Sequence, residues 1–300
     1  MRSYYRTVLY FVEQNLIGGI RGQHYFDGHL YKSCYMPLSK SFKFSFTILA
    51  FCSAMLTVHA QDTDSVSHKK NNGYLASYWH NGVQLVTSPA RWGGDEWAKF
   101  GGTVAITTVI LSMDEPISQP FFDWQTNVGT SFGNTGKFLG SVPFQLSISG
   151  VALGAGAIAH NKPLMNFALD NLQAQVYTGG ITWLIKELSN RARPRTGEGA
   201  YSWYGPFKKS SDDYASFFSG HASISYSTAT MIYLHSHKKW WVGLISYTAA
   251  TGIAISRMQT QAHWASDIVL GSIVGTAVAN FVYKQQEKRR HPEHKLTIIP

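Results

Sequence analysis

The sequence predicts an all-α protein, a single helical bundle of about six core helices, and three observations lead there. From about residue 97 the chain is a string of apolar segments with charged punctuation, roughly 100–113, 142–159, 167–186, 220–235, 240–256 and 267–283. Each segment is longer than an ordinary strand, and several are rich in Ala, Ile and Leu, which favours helix. The composition is 44% hydrophobic and only 14% charged, too apolar and too weakly charged for a disordered chain. A mean hydropathy of −0.12 also argues against a chain made mostly of lipid-facing helix.

Taken in order, residues 1–35 carry no targeting logic and read as an over-extended N-terminus, with Met36 as the expected start. Residues 36–60 read as a signal peptide. Lys40 and Lys43 supply the positive start, Phe44 to Val58 the apolar run, and Val58-His59-Ala60 a small-x-small cleavage site before Gln61. An uncleaved anchor or a first core helix is the alternative. Cys34 and Cys52 both fall in this removable region, so the mature chain is expected to hold no disulfide, zinc–thiolate site or cysteine nucleophile. Residues 61–96 are polar, with Ser88-Pro89 and Gly93-Gly94 as breakers, and read as loop and short helix. The helical domain is expected over 97–284 and a basic tail over 285–300.

Within that domain, segment 167–186 carries Asp170, Asn171, Gln173 and Gln175 and reads as amphipathic. Asp114-Glu115 reads as a turn at a helix end, and Lys208-Lys209 against Asp212-Asp213 as a solvated loop face. Tyr201, Trp203, Tyr204 and Phe207 fit either an interfacial lip or ordinary packing. A sixteen-residue helix reaches ~24 Å against a hydrocarbon core of ~30 Å. The turn at His160-Asn161-Lys162, the turn from His235 to Lys239 and the tail from Lys284 to Lys295 are basic and fall on one side. Five crossings starting at 142 would put them in the cytoplasm, with 100–113 not spanning. Two locations stay open: an inner-membrane bundle of the bacterial cell envelope with its site facing the periplasm, and a soluble periplasmic bundle. The net charge of +9 forms no stripe and no reading motif, so nucleic acid is not an expected partner.

Three clusters carry chemistry. Lys186 and Arg193 are seven residues apart, and seven helical steps return to within ~20° of the start, so both cations share a face; Pro194 then ends the helix. Ser219-Gly220-His221 opens an apolar run, where a hydroxyl and free backbone N–H groups suit a phosphate or oxyanion. Arg257 precedes His263 and Asp267, whose four-residue spacing lets a carboxylate fix one imidazole nitrogen and leave the other as nucleophile or base. Each cluster has an ordinary structural explanation: a dipole-compensating end, an N-cap serine, a core His–Asp pair. Helix alternation, however, brings all three to the same end of the bundle. The combination suits a phosphate monoester, whose equatorial oxygens need fixed positive charge as the bond breaks.

In order and spacing, Lys186…Arg193-Pro194, Ser219-Gly220-His221 and Ser256-Arg257…His263…Asp267 resemble the three-part signature of the type 2 phosphatidic acid phosphatase superfamily. That superfamily also contains bacterial acid phosphatases and vanadium haloperoxidases. The signature covers 186–267, with 24 residues between Pro194 and Ser219 and 34 between His221 and Ser256; Phe218 departs from the usual Pro. The resemblance implies a phosphatase/haloperoxidase-like, membrane-associated helical bundle and a metal-independent phosphatase without cofactor. His263 would be the nucleophile, Asp267 its orienting partner, and His221 the acid and then base. Lys186, Arg193, Ser219, Gly220 and Arg257 would hold the phosphoryl oxygens of a lipid or small-molecule phosphate. The alternatives are a soluble non-specific acid phosphatase, a vanadate-dependent haloperoxidase with His263 on vanadium, and a non-catalytic anion-binding envelope protein.

Overall fold

Each long apolar segment is a helix. The computed structural model describes residues 73–206 and 211–291. The expected signal peptide, the residues before it, both cysteines, Phe207, Lys208-Lys209 and the tail beyond 291 lie outside the described residues. Among those described there are nine α-helices and no β-strand: α1 (Tyr74–Val86), α2 (Gly94–Ser112), α3 (Asp114–Phe122), α4 (Asn127–Leu139), α5 (Val142–Ile158), α6 (Lys162–Ser189), α7 (Gly220–His235), α8 (Trp240–Gln259) and α9 (Ala265–Arg290). Three more helices occur than the six core segments, because α1, α3 and α4 are short or glycine-rich and carry little apolar signal. The last helix runs past 284 to Arg290, whose guanidinium donates to Asp170 (2.6 and 3.1 Å) and to Glu287 (2.9 and 3.1 Å).

Local chemistry sets the boundaries. Thr126, Ser141, Asn161 and Ser219 each accept a backbone N–H from the first turn of the helix they open. Pro143 and Pro163 sit in first turns, where a missing N–H costs nothing. Asn190 ends α6 in the left-handed region at φ 41°. Its N–H donates to Lys186 O (3.0 Å), and its side-chain amide donates to Glu187 O and Gly205 O (both 2.9 Å).

The hub is α7, which packs on α9, α8 and α6; α5 covers α6, α4 lies on α8, and α2 on α9. The α7–α9 approach depends on Gly275, where a Cβ would sit 1.9 Å from the Ser223 carbonyl oxygen. Beside two apolar clusters, around Trp264 and around Met231, much of the bundle interior is polar. Asp170, Asn171, Gln173, Gln175, Thr178 and Thr182 of α6 are buried, as are Ser223, Ser225, Ser227, Thr228 and Thr230 of α7. The polar residues that make 167–186 read as amphipathic point inward, where they find partners: Asn171 donates to Ser149 Oγ (2.9 Å) and Gln175 to Gln145 O and Thr228 Oγ1 (both 3.0 Å).

By length and composition one described helix, α9, is apolar enough to cross a membrane, with a mean hydropathy of 1.5 over its best window. The α4–α5 pair passes together but is bent by 52°. The inner-membrane reading of the sequence carries five crossings, the soluble reading none. The buried Ser, Thr, Asn and Gln residues of α6 and α7 lower the hydropathy of those helices.

Candidate active site

The site is built at the α6 C-terminus, the α7 N-terminus and the α8–α9 turn. Lys186 occupies the last turn of α6, and its ammonium donates to Ala215 O and, at 3.4 Å, to Ser216 O. The helix ends at Asn190, before Pro194, so Arg193 stands in extended backbone at φ −78° rather than on a shared helical face with Lys186. The two cations still come together, since both donate to Ala215 O. Pro194 opens a short 3-10 turn instead of stopping α6.

At the start of α7, Ser219 is the cap and is fully buried. Its N–H donates to Asp267 O (3.0 Å), which ties this turn to α9. The first-turn amides of Gly220 and His221 have no acceptor within the helix by construction. The His221 ring pairs through Nε2 with Lys137 O of α4 (3.2 Å). Gly140 permits that approach, since a Cβ there would lie 2.7 Å from His221 Cδ2.

The third part wraps the end of α8. Ala262 and His263 both donate their N–H groups back to Arg257 O (3.0 and 3.3 Å), which sets His263 one turn beyond Arg257. Asp267 lies in the first turn of α9 and accepts from Trp264 N–H (2.9 Å), Ser216 Oγ (2.5 Å) and Arg191 Nη1 (2.6 Å). Its Oδ2 is 3.6 Å from His263 Nδ1, within ion-pair range but beyond a hydrogen bond. The sequence spacing placed both residues on one helical face; in the structure His263 precedes the helix and Asp267 caps it.

These groups share one electrostatic environment. Lys186, Arg193, Arg257 and His221 act on one another, and His263 responds to Lys186, Arg193 and Asp267. Burial, followed by the Lys186 and Arg193 charges, holds the His263 imidazole well below its ordinary value against the pull of Asp267. Burial likewise lowers the Arg193 guanidinium, opposed by Asp212. Arg193, Arg257 and His263 are 8%, 5% and 2% exposed. Arg193 Nε, Arg257 Nε and Nη1, and His263 Nδ1 are buried without a hydrogen-bond partner among the described residues. His263 Nδ1 faces Asp267, whereas the unmet guanidinium N–H groups of Arg193 and Arg257 are suited to an anion.

Sequence reasoning missed several neighbours. Asp114 and Arg191 are fully buried and paired (2.6 Å); Asp114 does stand at a helix end, opening α3 just after Met113, but it does so inside the protein. Asp212 pairs with Arg193 and Arg195 (both 2.9 Å), and Asp213 with Arg195 (2.8 Å); both carboxylates stay exposed, 68% and 49%, while Lys208-Lys209 lie outside the described residues. The available signal was the run of alternating arginines at 191, 193 and 195, too many cations for one short loop without carboxylate partners. Of the aromatic group, Tyr201 is 59% exposed, whereas Trp203 lies under the Arg191 guanidinium at 4.7 Å.

Residues 168–291 match the family model described as PAP2 superfamily. A lipid A 1-phosphatase from Porphyromonas gingivalis is 26% identical over 181 residues, which are 60% of this chain and 36% of that protein, so the chain spans about a third of its relative. Among solved structures, Aquifex aeolicus LpxE overlays with a TM-score of 0.43 at 16% identity, covering 57% of this chain and 95% of that one. A transmembrane PAP2-type phosphatidylglycerolphosphate phosphatase from Bacillus subtilis overlays with a TM-score of 0.44 at 19% identity, covering 62% and 95%. The matching segment contains all three site clusters, and over it this chain is similar to the PAP2 superfamily.

Proposed function

We propose that this chain is a metal-independent phosphatase that hydrolyses phosphate monoesters, lipid phosphates or pyrophosphates, through a phosphohistidine intermediate. The observation that carries the reading is the set of buried, unpartnered N–H groups on Arg193 and Arg257 beside two histidines. A phosphoryl group supplies the oxygens those donors lack, with Lys186, Ser219 Oγ and the Gly220 amide completing the cradle.

His263 Nδ1 faces Asp267, which leaves Nε2 to attack phosphorus. The P–N bond forms as the ester P–O bond breaks, and His221 gives its proton to the leaving oxygen. Water then attacks phosphorus and yields its proton to His221; the P–N bond breaks, inorganic phosphate departs, and both rings return to their starting state. Asp267 keeps the His263 ring oriented and balances its charge while it carries the phosphoryl group.

The lipid reading rests on the surface. Trp183, Leu184 and Leu188 of α6, Trp240, Trp241, Leu244 and Ile245 of α8, and Phe100, Val104, Ile106 and Val109 of α2 are exposed, while the interior holds Ser, Thr, Asn and Gln. Apolar outside and polar inside suits a bilayer, with the site at the end opposite the basic turns. The relative's lipid A substrate makes a glycolipid phosphate the first candidate, alongside phosphatidate, phosphatidylglycerol phosphate and undecaprenyl pyrophosphate.

The test is phosphate release by the detergent-purified full chain from these lipids and from p-nitrophenyl phosphate. His263→Ala is expected to lose at least about 1,000-fold in turnover while keeping its far-UV circular dichroism. Wild-type protein quenched during turnover should carry acid-labile, alkali-stable phosphate. Because a depressed His263 stays neutral at neutral pH, the acid limb of kcat/KM should lie below about 6.5. Wild-type-like hydrolysis by the variant, or no hydrolysis of any phosphate by folded protein, overturns the proposal.

A further inference from the structure

Arg191 stands two residues before Arg193 but differs from it in every contact. Its side chain is 0% exposed, and all five of its N–H donors are used. Nη1 donates to Asp267 Oδ1 (2.6 Å) and Ser266 Oγ (2.9 Å), Nη2 to Asp114 Oδ2 (2.6 Å) and Ala200 O (2.7 Å), and Nε to Ala200 O (3.0 Å). Trp203 and Trp264 lie against the guanidinium, 4.7 and 5.7 Å from their ring centroids. No donor remains for a substrate oxygen. Asp114, fully buried at the start of α3, accepts the Ser266 N–H (2.7 Å) and hydroxyl (2.6 Å) as well as Arg191. A continuous buried line therefore runs from Asp114 through Arg191 to Asp267 and on to His263. Asp114 lies outside the 168–291 family match.

We propose that Asp114 and Arg191 form a positioning pair that fixes the orientation and charge of Asp267 and so tunes His263; this rests on His263 being the nucleophile. Two carboxylates around one guanidinium carry a net charge of −1. A positive His263 ring, as it takes on the phosphoryl group, neutralises that charge. Asp114 thus restrains Arg191 from neutralising Asp267 outright, and Arg191 holds the Asp267 carboxylate in place. The charged groups facing His263 are Asp267, Lys186 and Arg193, so a charge removed at Asp114 reaches it through Arg191 and Asp267.

The experiment compares Asp114→Asn, Asp114→Glu and Arg191→Lys with wild type in detergent, using p-nitrophenyl phosphate and a pH profile for each. Asp114→Asn is expected to lower kcat by roughly tenfold, the scale of outer-shell substitutions at tuned sites, with KM little changed. Removing a negative charge disfavours the imidazolium, so the acid limb of kcat should move to lower pH. Asp114→Glu should bring that limb back, whereas Arg191→Lys, which lacks the planar fork, should lower kcat without such recovery. If Asp114→Asn does not fold, Ser266→Ala takes its place. It removes the hydroxyl shared by Asp114 and Arg191, and it too should lower kcat at constant KM. Wild-type kcat and pH profile in the folded variant overturn the pairing. An active wild type with inactive His263→Ala keeps the phosphatase reading even then, while an inactive wild type sinks that reading first.

Discussion

Two residues separate Arg191 from Arg193, and the buried contacts of each decide its work. Arg191 has every donor occupied by protein, so it can hold neighbours in place but has nothing left for a ligand. Arg193 keeps Nε buried and unpartnered and shares Nη2 with Asp212, whose side chain is 68% exposed. Asp212 therefore stands where it competes with an incoming phosphate for the same guanidinium. Asp212→Asn should lower KM for a phosphate ester by no more than about fivefold, because an exposed ion pair is weak. Arg193→Lys should lose roughly 100-fold in kcat/KM, since a point charge cannot replace a forked pair of N–H donors aimed at the phosphoryl group. Steady-state kinetics on both variants checks the pair; an unchanged Arg193→Lys enzyme would move Arg193 out of the cradle.

At the scale of elements, the site depends on how closely three helices approach. α9 brings Asp267 against the Ser219 turn because Gly275, two turns further along, lets its backbone lie on Ser223 of α7. A Cβ at 275 meets a backbone carbonyl, which cannot rotate away as a side chain could. Gly275→Ala should therefore destabilise the protein by about 1–3 kcal/mol. It should also lower activity beyond the fraction unfolded, because the α7–α9 spacing carries Ser219 and Asp267 with it. A thermal melt in detergent read alongside kcat separates the two effects. Wild-type melting would show that the α7–α9 contact relaxes without cost. Polar side chains hold the opposite end of the same helices: Asp170 joins Arg290 and His235 (2.6 and 3.1 Å), and Gln286 bridges Gln173 and Ser77 (2.6 and 3.0 Å). With both ends fixed by buried hydrogen bonds, the small-residue middle needs little apolar bulk.

For the whole molecule, the distribution of polarity points to its solvent. Large apolar side chains such as Trp79 at 80%, Ile158 at 85% and Trp240 at 76% exposure would be costly in water over so wide an area. The bundle is expected to sediment with membranes, resist extraction by high salt and alkaline carbonate, and require detergent for release. Fractionation with an activity assay on each fraction checks this; full activity in the soluble fraction without detergent would favour the soluble periplasmic reading.

The amino-acid sequence alone determined the helical class and supplied the residues on which the proposed chemistry rests. Long Ala-, Ile- and Leu-rich runs have one regular structure open to them, and His221, His263, Asp267, Lys186, Arg193, Arg257 and the Ser219-Gly220 turn stand at spacings that helix alternation returns to one end. α1 falls where the sequence reads as loop and short helix, but short or glycine-rich α3 and α4 were not legible, since Gly and Pro lower the local helical signal while packing supplies the stability. Tertiary structure decided which charges keep unpartnered donors and which meet each other. In sequence Asp114 reads as a helix-end turn, and only burial, which makes an unpaired charge prohibitive, obliges it to join Arg191 across 77 residues of chain and Arg191 to join Asp267 across 76.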